Sequence, residues 1–172
     1  LAKKRTDTFY NRKIALVSTP GTQGMSRIEK AFEETDQRHF YVPCPKCKKL
    51  QVLRWHQVKW EKSEDGEHLP ETAYYQCGHC EAKWSDIDRQ NAVKNGEWIS
   101  EKPFKGKAGF HLNALYSPWA TLKKIVNEHL ESLKDTELRK TWVNTVLGEV
   151  WIEDGEVVDE SALMSRAETY PA

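Results

Sequence analysis

Residues 41–55 read YVPCPKCKKLQVLRW, and residues 73–84 read AYYQCGHCEAKW. Each stretch sets a Cys-x-x-Cys pair beside β-branched and aromatic residues, the composition of a strand entering or leaving a turn. Between Cys47 and Cys77 lie 29 residues. Two such turns can face each other and present four thiolates as a tetrahedron, each ~2.3 Å from a zinc ion. Pro43, Pro45 and Gly78 permit tight turns whose amides point at the sulfurs. The spacing therefore predicts a structural Zn2+ held by Cys44, Cys47, Cys77 and Cys80, on the β-hairpins of a zinc ribbon with a polar loop at residues 63–70. Two reducible disulfides or a thioredoxin-like redox pair fit less well, because a redox pair needs one Cys-x-x-Cys beside a βαβ unit and here two pairs complement each other. Four thiolates also close the coordination shell, so a catalytic zinc with an open position is not expected. His79, inside the second turn, reads as solvent-facing rather than as a ligand. Metal binding would supply much of the folding free energy of this lobe, on the order of 10 kcal/mol.

Lys46, Lys48, Lys49 and Lys83 give the two turns positive charge, which Glu81 and the acidic stretch 61–71 dilute. A solvated bracing surface and a DNA contact remain equally good readings of these lysines. The chain as a whole has zero net charge, unlike proteins held on DNA by charge alone. The charge is uneven, with eight Lys/Arg against five Asp/Glu in residues 1–40 and one against six in residues 151–172. Cysteines confined to paired motifs suit a reducing compartment and a metal better than disulfides. No apolar run approaches the ~20 residues that span a bilayer, so no membrane partner is expected. A length of 172 residues allows one ordinary domain or two small ones. A chain that begins at Leu1 reads as a fragment or a processed product.

Upstream of the cysteines, residues 13–17 (KIALV) form a short apolar run that reads as a buried strand. Residues 18–29, STPGTQGMSRIE, follow it as the loop of a strand–loop–helix unit. Ser26 and Glu29 fit a capping box, and Ile28, Ala31 and Phe32 give the helix one apolar face. The stretch lacks the lysine and the spacing of a Walker A loop. Downstream, Ser85 and Asp88 predict a second helix cap, and Asn95-Gly96 suits that helix's end. Residues 109–119, GFHLNALYSPW, are too aromatic for a disordered linker. Leu122, Ile125, Val126, Leu130 and Leu133 fall on one helical stripe. Leu138, Trp142, Val143, Val146 and Leu147 form another, stopped at Gly148. A turn around Asp135-Thr136 makes these a helical hairpin. Residues 151–172 read as acidic surface or linker, and no internal repeat is present. The fold class is α+β: small zinc-ribbon hairpins with flanking helices, preceded by a strand–loop–helix edge.

Residues 13–47, then CGHC at 77–80, GFHLNALYSPW, and WVNTVLGEVW at 142–151, closely resemble in sequence and order the lambda-type large terminase subunit of tailed phages. The resemblance runs from about residue 3 to the end of the chain. It implies an N-terminal ATPase that drives DNA into the procapsid and a C-terminal nuclease that cuts the concatemer. On that likeness Ser18-Thr19-Pro20 matches the ATP-coupling motif, with Ser18 and Thr19 sensing the γ-phosphate and relaying hydrolysis to movement. The resemblance also implies double-stranded DNA, the small terminase subunit and the portal as partners, ATP and Mg2+ as cofactors of the full-length parent, and the host cytoplasm as its location. Self-association stays open.

The chain departs from the full pattern. It has no Walker A loop and no strand ending in paired Walker B acids, and the nuclease carboxylates are expected beyond Ala172. Asp86 and Asp88 read as helix-cap residues, and Glu153, Asp154 and Glu156 as a solvated turn, so no catalytic residue is assigned. By itself the chain is expected neither to hydrolyse ATP nor to cleave DNA. The expected division is residues 1–40 as the C-terminal edge of the ATPase domain, 41–100 as the zinc ribbon with a capping helix, and 101–172 as a helical-hairpin linker towards the nuclease domain. The ribbon's expected role is to couple motor and nuclease rigidly. The rival readings are an autonomous zinc-ribbon DNA-binding module and a protein-interaction domain.

Overall fold

Strands form where β-branched and aromatic residues flank the two cysteine pairs. In the computed structural model, which describes residues 6–153, β1 (Arg38–Pro43) runs into the first pair and β2 (Leu50–Val52) leaves it. The two are antiparallel, with Val42 opposite Gln51. A 3-10 turn at Trp55–Gln57 leads into β3 (Val58–Lys62) and β4 (His68–Gln76), and β5 (Lys83–Trp84) follows the second pair. The β3–β4 hairpin turns over residues 63–67, where the Ser63 amide donates to the Glu67 carbonyl at 2.8 Å and Gly66 takes a φ of 85°. The polar loop is thus shorter than the sequence suggested, because Leu69 and Pro70 already lie in β4. The pairing shifts between Lys59 and Glu61, and the Glu61 amide donates to the Thr72 hydroxyl instead of a ladder carbonyl.

Two sheets result. β3, β4 and β5 form one, entirely antiparallel. In the other, β1 is central: β6 (Glu97–Ser100) pairs antiparallel along one edge, while β2 and the short parallel β7 (Phe110–His111) share the opposite edge.

The first two helices start where the sequence places caps. α2 (Asp86–Lys94) opens with a complete capping box: the Asp88 amide donates to the Ser85 hydroxyl at 3.2 Å, and the Ser85 amide donates to the Asp88 carboxylate at 2.9 Å. Those Ser85 bonds hold the Asp88 pKa below its usual range. α1 (Arg27–Glu33) achieves half of its box. The Glu29 amide reaches the Ser26 hydroxyl, but the Glu29 carboxylate accepts from Gly24, because the Ser26 amide is already given to the Thr22 carbonyl. α3 (Leu122–Ser132) and α4 (Thr136–Trp142) form the expected hairpin, with Asp135 capping α4. A π-helical turn, Val143–Leu147, extends α4 and ends at Gly148 in the left-handed region. Leu122, Ile125, Val126, Trp142 and Leu147 are buried, while Leu133 and Leu138, at the turn of the hairpin, stay half-exposed.

The helical hairpin packs on the β3–β4 sheet through aromatic rings. His129 stands 4.8 Å from both Trp55 and Trp142 between ring centroids, and Trp55 meets Trp142 edge-on at 4.9 Å. The connector 112–121 is tied down from below by Arg89, which is 0% exposed. Its guanidinium pairs with Asp86 at 2.8 Å and donates to the carbonyls of Leu115, Ser117 and Ala120. Asp86 in turn accepts from the Leu122 amide at the start of α3.

Residues 13–17 do not form the expected buried strand. They are irregular and exposed, with Val17 94% exposed, and none has a ladder partner among the described residues. β-propensity describes how well a residue fits a paired, half-buried surface, so without a neighbouring strand it yields no sheet. The acidic surface or linker expected at residues 151–172 lies mostly at residues 154–172, outside the described residues.

Arg89→Ala would leave the part-exposed Asp86 carboxylate, the buried Leu115 carbonyl and the part-buried Ser117 and Ala120 carbonyls without their shared partner. We expect it to cost about 3–5 kcal/mol, read as a lower urea midpoint with unchanged slope; a loss within error of zero would contradict the role given to Arg89.

Candidate metal centre

The two cysteine turns adopt the same backbone path. In the first, the Cys44 amide donates to Lys49 and the Lys48 amide donates to the Cys44 carbonyl, both at 3.0 Å. In the second, Cys77 donates to Ala82 at 2.9 Å and Glu81 donates to Cys77 at 3.1 Å. Lys48 and Glu81, each directly after the second cysteine of its pair, take φ of 61° and 59°. This left-handed step turns the chain back into β2 and β5 and leaves both sulfurs of each pair on the inner side of the turn.

The turns come from different sheets and meet sulfur to sulfur. All four Sγ atoms lie within 4.8 Å of one another. Across the pairs, Cys44 is 3.7 Å from Cys80 and Cys47 is 3.9 Å from Cys77. A tetrahedron of sulfurs at ~2.3 Å from zinc has edges of about 3.8 Å. The donor set therefore fits a zinc-sized, thiophilic ion. Cys44 and Cys77 are buried, Cys47 is half-buried and Cys80 is exposed.

The surrounding dipoles favour negative sulfur. Amides of Lys46 and Cys47 point at the Cys44 sulfur, and the amide of His79 points at the Cys77 sulfur, all at 3.4 Å. Burial raises the Cys77 pKa, but the amides of His79 and Cys80 and the neighbouring thiols outweigh it and bring it down to about 6. The Lys49 amide lowers that of Cys47, yet burial and the three other sulfurs raise it to about 11. Four sulfurs this close cannot all carry charge alone, and a divalent cation replaces the protons they would otherwise share.

His79 is exposed, as expected, and contributes its amide rather than its ring. Gly78 leaves room for Gln57: a Cβ there would fall 2.7 Å from the Gln57 side-chain amide and displace it. Gln57 and Gln51 were not singled out from the sequence. Gln51 looks like an ordinary polar strand residue in LQV, yet it is only 7% exposed and donates from Nε2 to the Cys77 sulfur at 3.5 Å.

The family model for the ATPase domain of the phage terminase large subunit gpA matches residues 1–98. The chain belongs to the phage terminase large subunit family. The model for the gpA endonuclease domain matches residues 107–172. The terminase large subunit of Enterobacteria phage P21 is 35% identical over 201 aligned residues, and that of Escherichia phage lambda is 31% identical over 197. Both alignments take in 100% of this chain and 30% of the relative, so the chain spans about a third of the length of these curated relatives. No solved structure matches the chain.

Ser18 and Thr19 sit in the exposed segment before α1, with the Ser18 hydroxyl on the Thr19 carbonyl at 2.8 Å. Lys46, Lys48, Lys49 and Lys83 are exposed around the two turns. The Lys48 ammonium donates to the Pro45 carbonyl at 2.8 Å, and that of Lys83 lies 4.4 Å above the Tyr74 ring.

The left-handed step costs a side chain about 1–2 kcal/mol that glycine avoids, against ~0.5–1 kcal/mol of extra chain entropy for glycine. Glu81→Gly is therefore expected to stabilise the protein by about 0.5 kcal/mol. Chemical denaturation measures it, and a clear loss would count against the equivalence of the two turns.

Proposed function

We propose that this chain is the central part of a DNA-packaging terminase large subunit, in which a structural Zn2+ on Cys44, Cys47, Cys77 and Cys80 stiffens a ribbon between motor and nuclease. The observation that carries the metal reading is the approach of four sulfurs to within 4.8 Å of one another, supplied by two separate sheets. Membership of the family supports the packaging role. In the full-length protein, ATP hydrolysis would drive double-stranded DNA and a Mg2+-dependent nuclease would cut it, with the small subunit and portal as partners in the host cytoplasm. Residues 1–40 would be the trailing edge of the ATPase domain. There Ile14, Leu16 and Val17, exposed in this chain, would be covered by a neighbouring strand, and Ser18 and Thr19 would sit at its tip facing the nucleotide. Residues 41–100 would be the ribbon with its capping helix, and residues 101–172 the helical-hairpin approach to the nuclease domain.

The zinc binds no substrate in this reading. It holds two hairpins at fixed distance and angle, so that force applied to one sheet reaches the other without shear. A second reading, direct DNA contact by the ribbon, is favoured by the exposed Lys46 and Lys49 on the first turn.

Elemental analysis of the purified protein is expected to give one zinc per chain. Cys44→Ser or Cys77→Ser should melt the lobe 41–85, whereas His79→Ala leaves it folded; equal damage from all three would mean a different ligand set. Salt titration of duplex binding separates the two readings of the lysines. Contacts by all four would give a log–log slope of about −3.6, while a purely bracing ribbon gives no salt-dependent binding at all.

A further inference from the structure

Gln51 lies on β2, in the hairpin of the first cysteine turn, but its side chain serves the second. Its Oε1 accepts from the Gly78 amide at 3.0 Å and from Gln57 Nε2 at 3.2 Å. An amide N–H must face an acceptor, so the Gly78 contact fixes which end of the Gln51 amide is oxygen. The NH2 end is thereby left facing the Cys77 sulfur, at 3.5 Å.

The polarity of Gln57 agrees. Its Oε1 accepts from the Tyr75 hydroxyl at 2.5 Å, so its Nε2 must donate, which it does to Gln51 and to the Gln76 carbonyl at 3.2 Å. The Tyr75 hydroxyl accepts in turn from the Arg54 amide at 3.3 Å, and burial raises the phenol's pKa and keeps it protonated. The result is a one-way chain of donors, Arg54 to Tyr75 to Gln57 to Gln51, that ends on a metal-ready sulfur. The Tyr75 hydroxyl also has the Val52 carbonyl within 3.5 Å, but each glutamine amide has one orientation that satisfies its neighbours, so the terminal N–H is held rather than free to rotate.

We propose that Gln51 is the positioning residue of the four-cysteine centre, orienting the Cys77 sulfur towards the ion and clamping the second turn against the first. The proposal rests on the zinc reading above. A neutral N–H donor suits this place. It stabilises a thiolate and fixes its lone-pair direction without adding a charge that would compete with the cation. Because Gln51 is anchored in one sheet and its target lies in the other, it also pre-sets the distance between the turns before metal arrives. Groups that orient ligands from behind in this way are typically worth roughly 10–100-fold in metal affinity.

Gln51→Leu and Gln51→Glu test this in the same chain. Leucine removes both halves of the amide. Glutamate keeps an acceptor for Gly78 and Gln57 but turns an oxygen, not an N–H, towards the sulfur. Chelator competition for Zn2+ is expected to show roughly 10–100-fold weaker binding in both. Substitution with Co2+ gives a second readout: the thiolate-to-cobalt charge-transfer bands should shift in both variants, which a purely structural weakening would not produce. If Gln51→Leu fails to fold even with metal, Gln51→Glu decides by the same two measurements. Wild-type affinity and an unshifted cobalt spectrum in Gln51→Glu would overturn the proposal. A wild-type chain that takes up neither zinc nor cobalt stoichiometrically would instead end the zinc reading itself.

Discussion

Four sulfur atoms within 4.8 Å of one another impose the constraint on which the rest of the structure depends. Thiols can crowd this closely only by sharing protons, and thiolates only around a cation. The backbone is arranged for the second case. Its amides converge on Cys44 and Cys77, and the Cys77 pKa is brought down to about 6 against the opposing effect of burial. Among the described residues no other His, Cys, Asp or Glu cluster could hold a metal ion. The strands on either side are short, two to nine residues, and short hairpins are marginal alone. The convergence of two of them on one centre is what lets each act as a fixed support for the other.

The sulfur cluster is only one of the points at which distant parts of the chain are joined. The Tyr116 hydroxyl donates to the Phe40 carbonyl at 2.7 Å and accepts from the Leu53 amide at 2.9 Å, closing the first hairpin from the connector side. Arg89 performs the complementary task from α2, drawing three connector carbonyls onto a single buried guanidinium. A buried charge is costly unless its partners are complete. Here Asp86 and the three carbonyls satisfy it, and the same Asp86 caps the start of α3. The aromatic contacts of Trp55, His129 and Trp142 then seat the helical hairpin on the second sheet.

What could be read in the sequence was local chemistry with a fixed spacing. The cysteine pairs, the Ser85–Asp88 box and the hairpin turn at Asp135-Thr136 each depend on residues a few positions apart; the four cysteines converge, the box closes and the turn joins the two helices. The failures lie where a distant partner decides the outcome. Residues 13–17 carry a strand's composition but find no neighbouring strand among the described residues, so they remain exposed. Glu29 fits a capping box, but Gly24 takes its carboxylate because the Ser26 amide is committed elsewhere. Gln51 and Gln57 carry no marker in a polar chain, since their importance comes only from the second turn folding over them. Arg89 likewise looks like a surface residue on a polar helix until the connector is laid across it.

The boundary between the two family matches, after residue 98 and before residue 107, falls inside shared structure rather than in a linker. β1 holds β6, which straddles the end of the ATPase-domain match, along one edge, and β7, from the endonuclease-domain match, along the other. Arg89 and Leu115, Phe40 and Tyr116, are bonded across the same boundary. A displacement of β1 must therefore carry both sides with it, and β1 ends at Pro43, immediately before Cys44. An ion gripping Cys44 would fix the end of the very strand that both matched parts share. A zinc held there would anchor the strand that both matched parts share, whereas a bare turn of thiols would be free to slide past its partner.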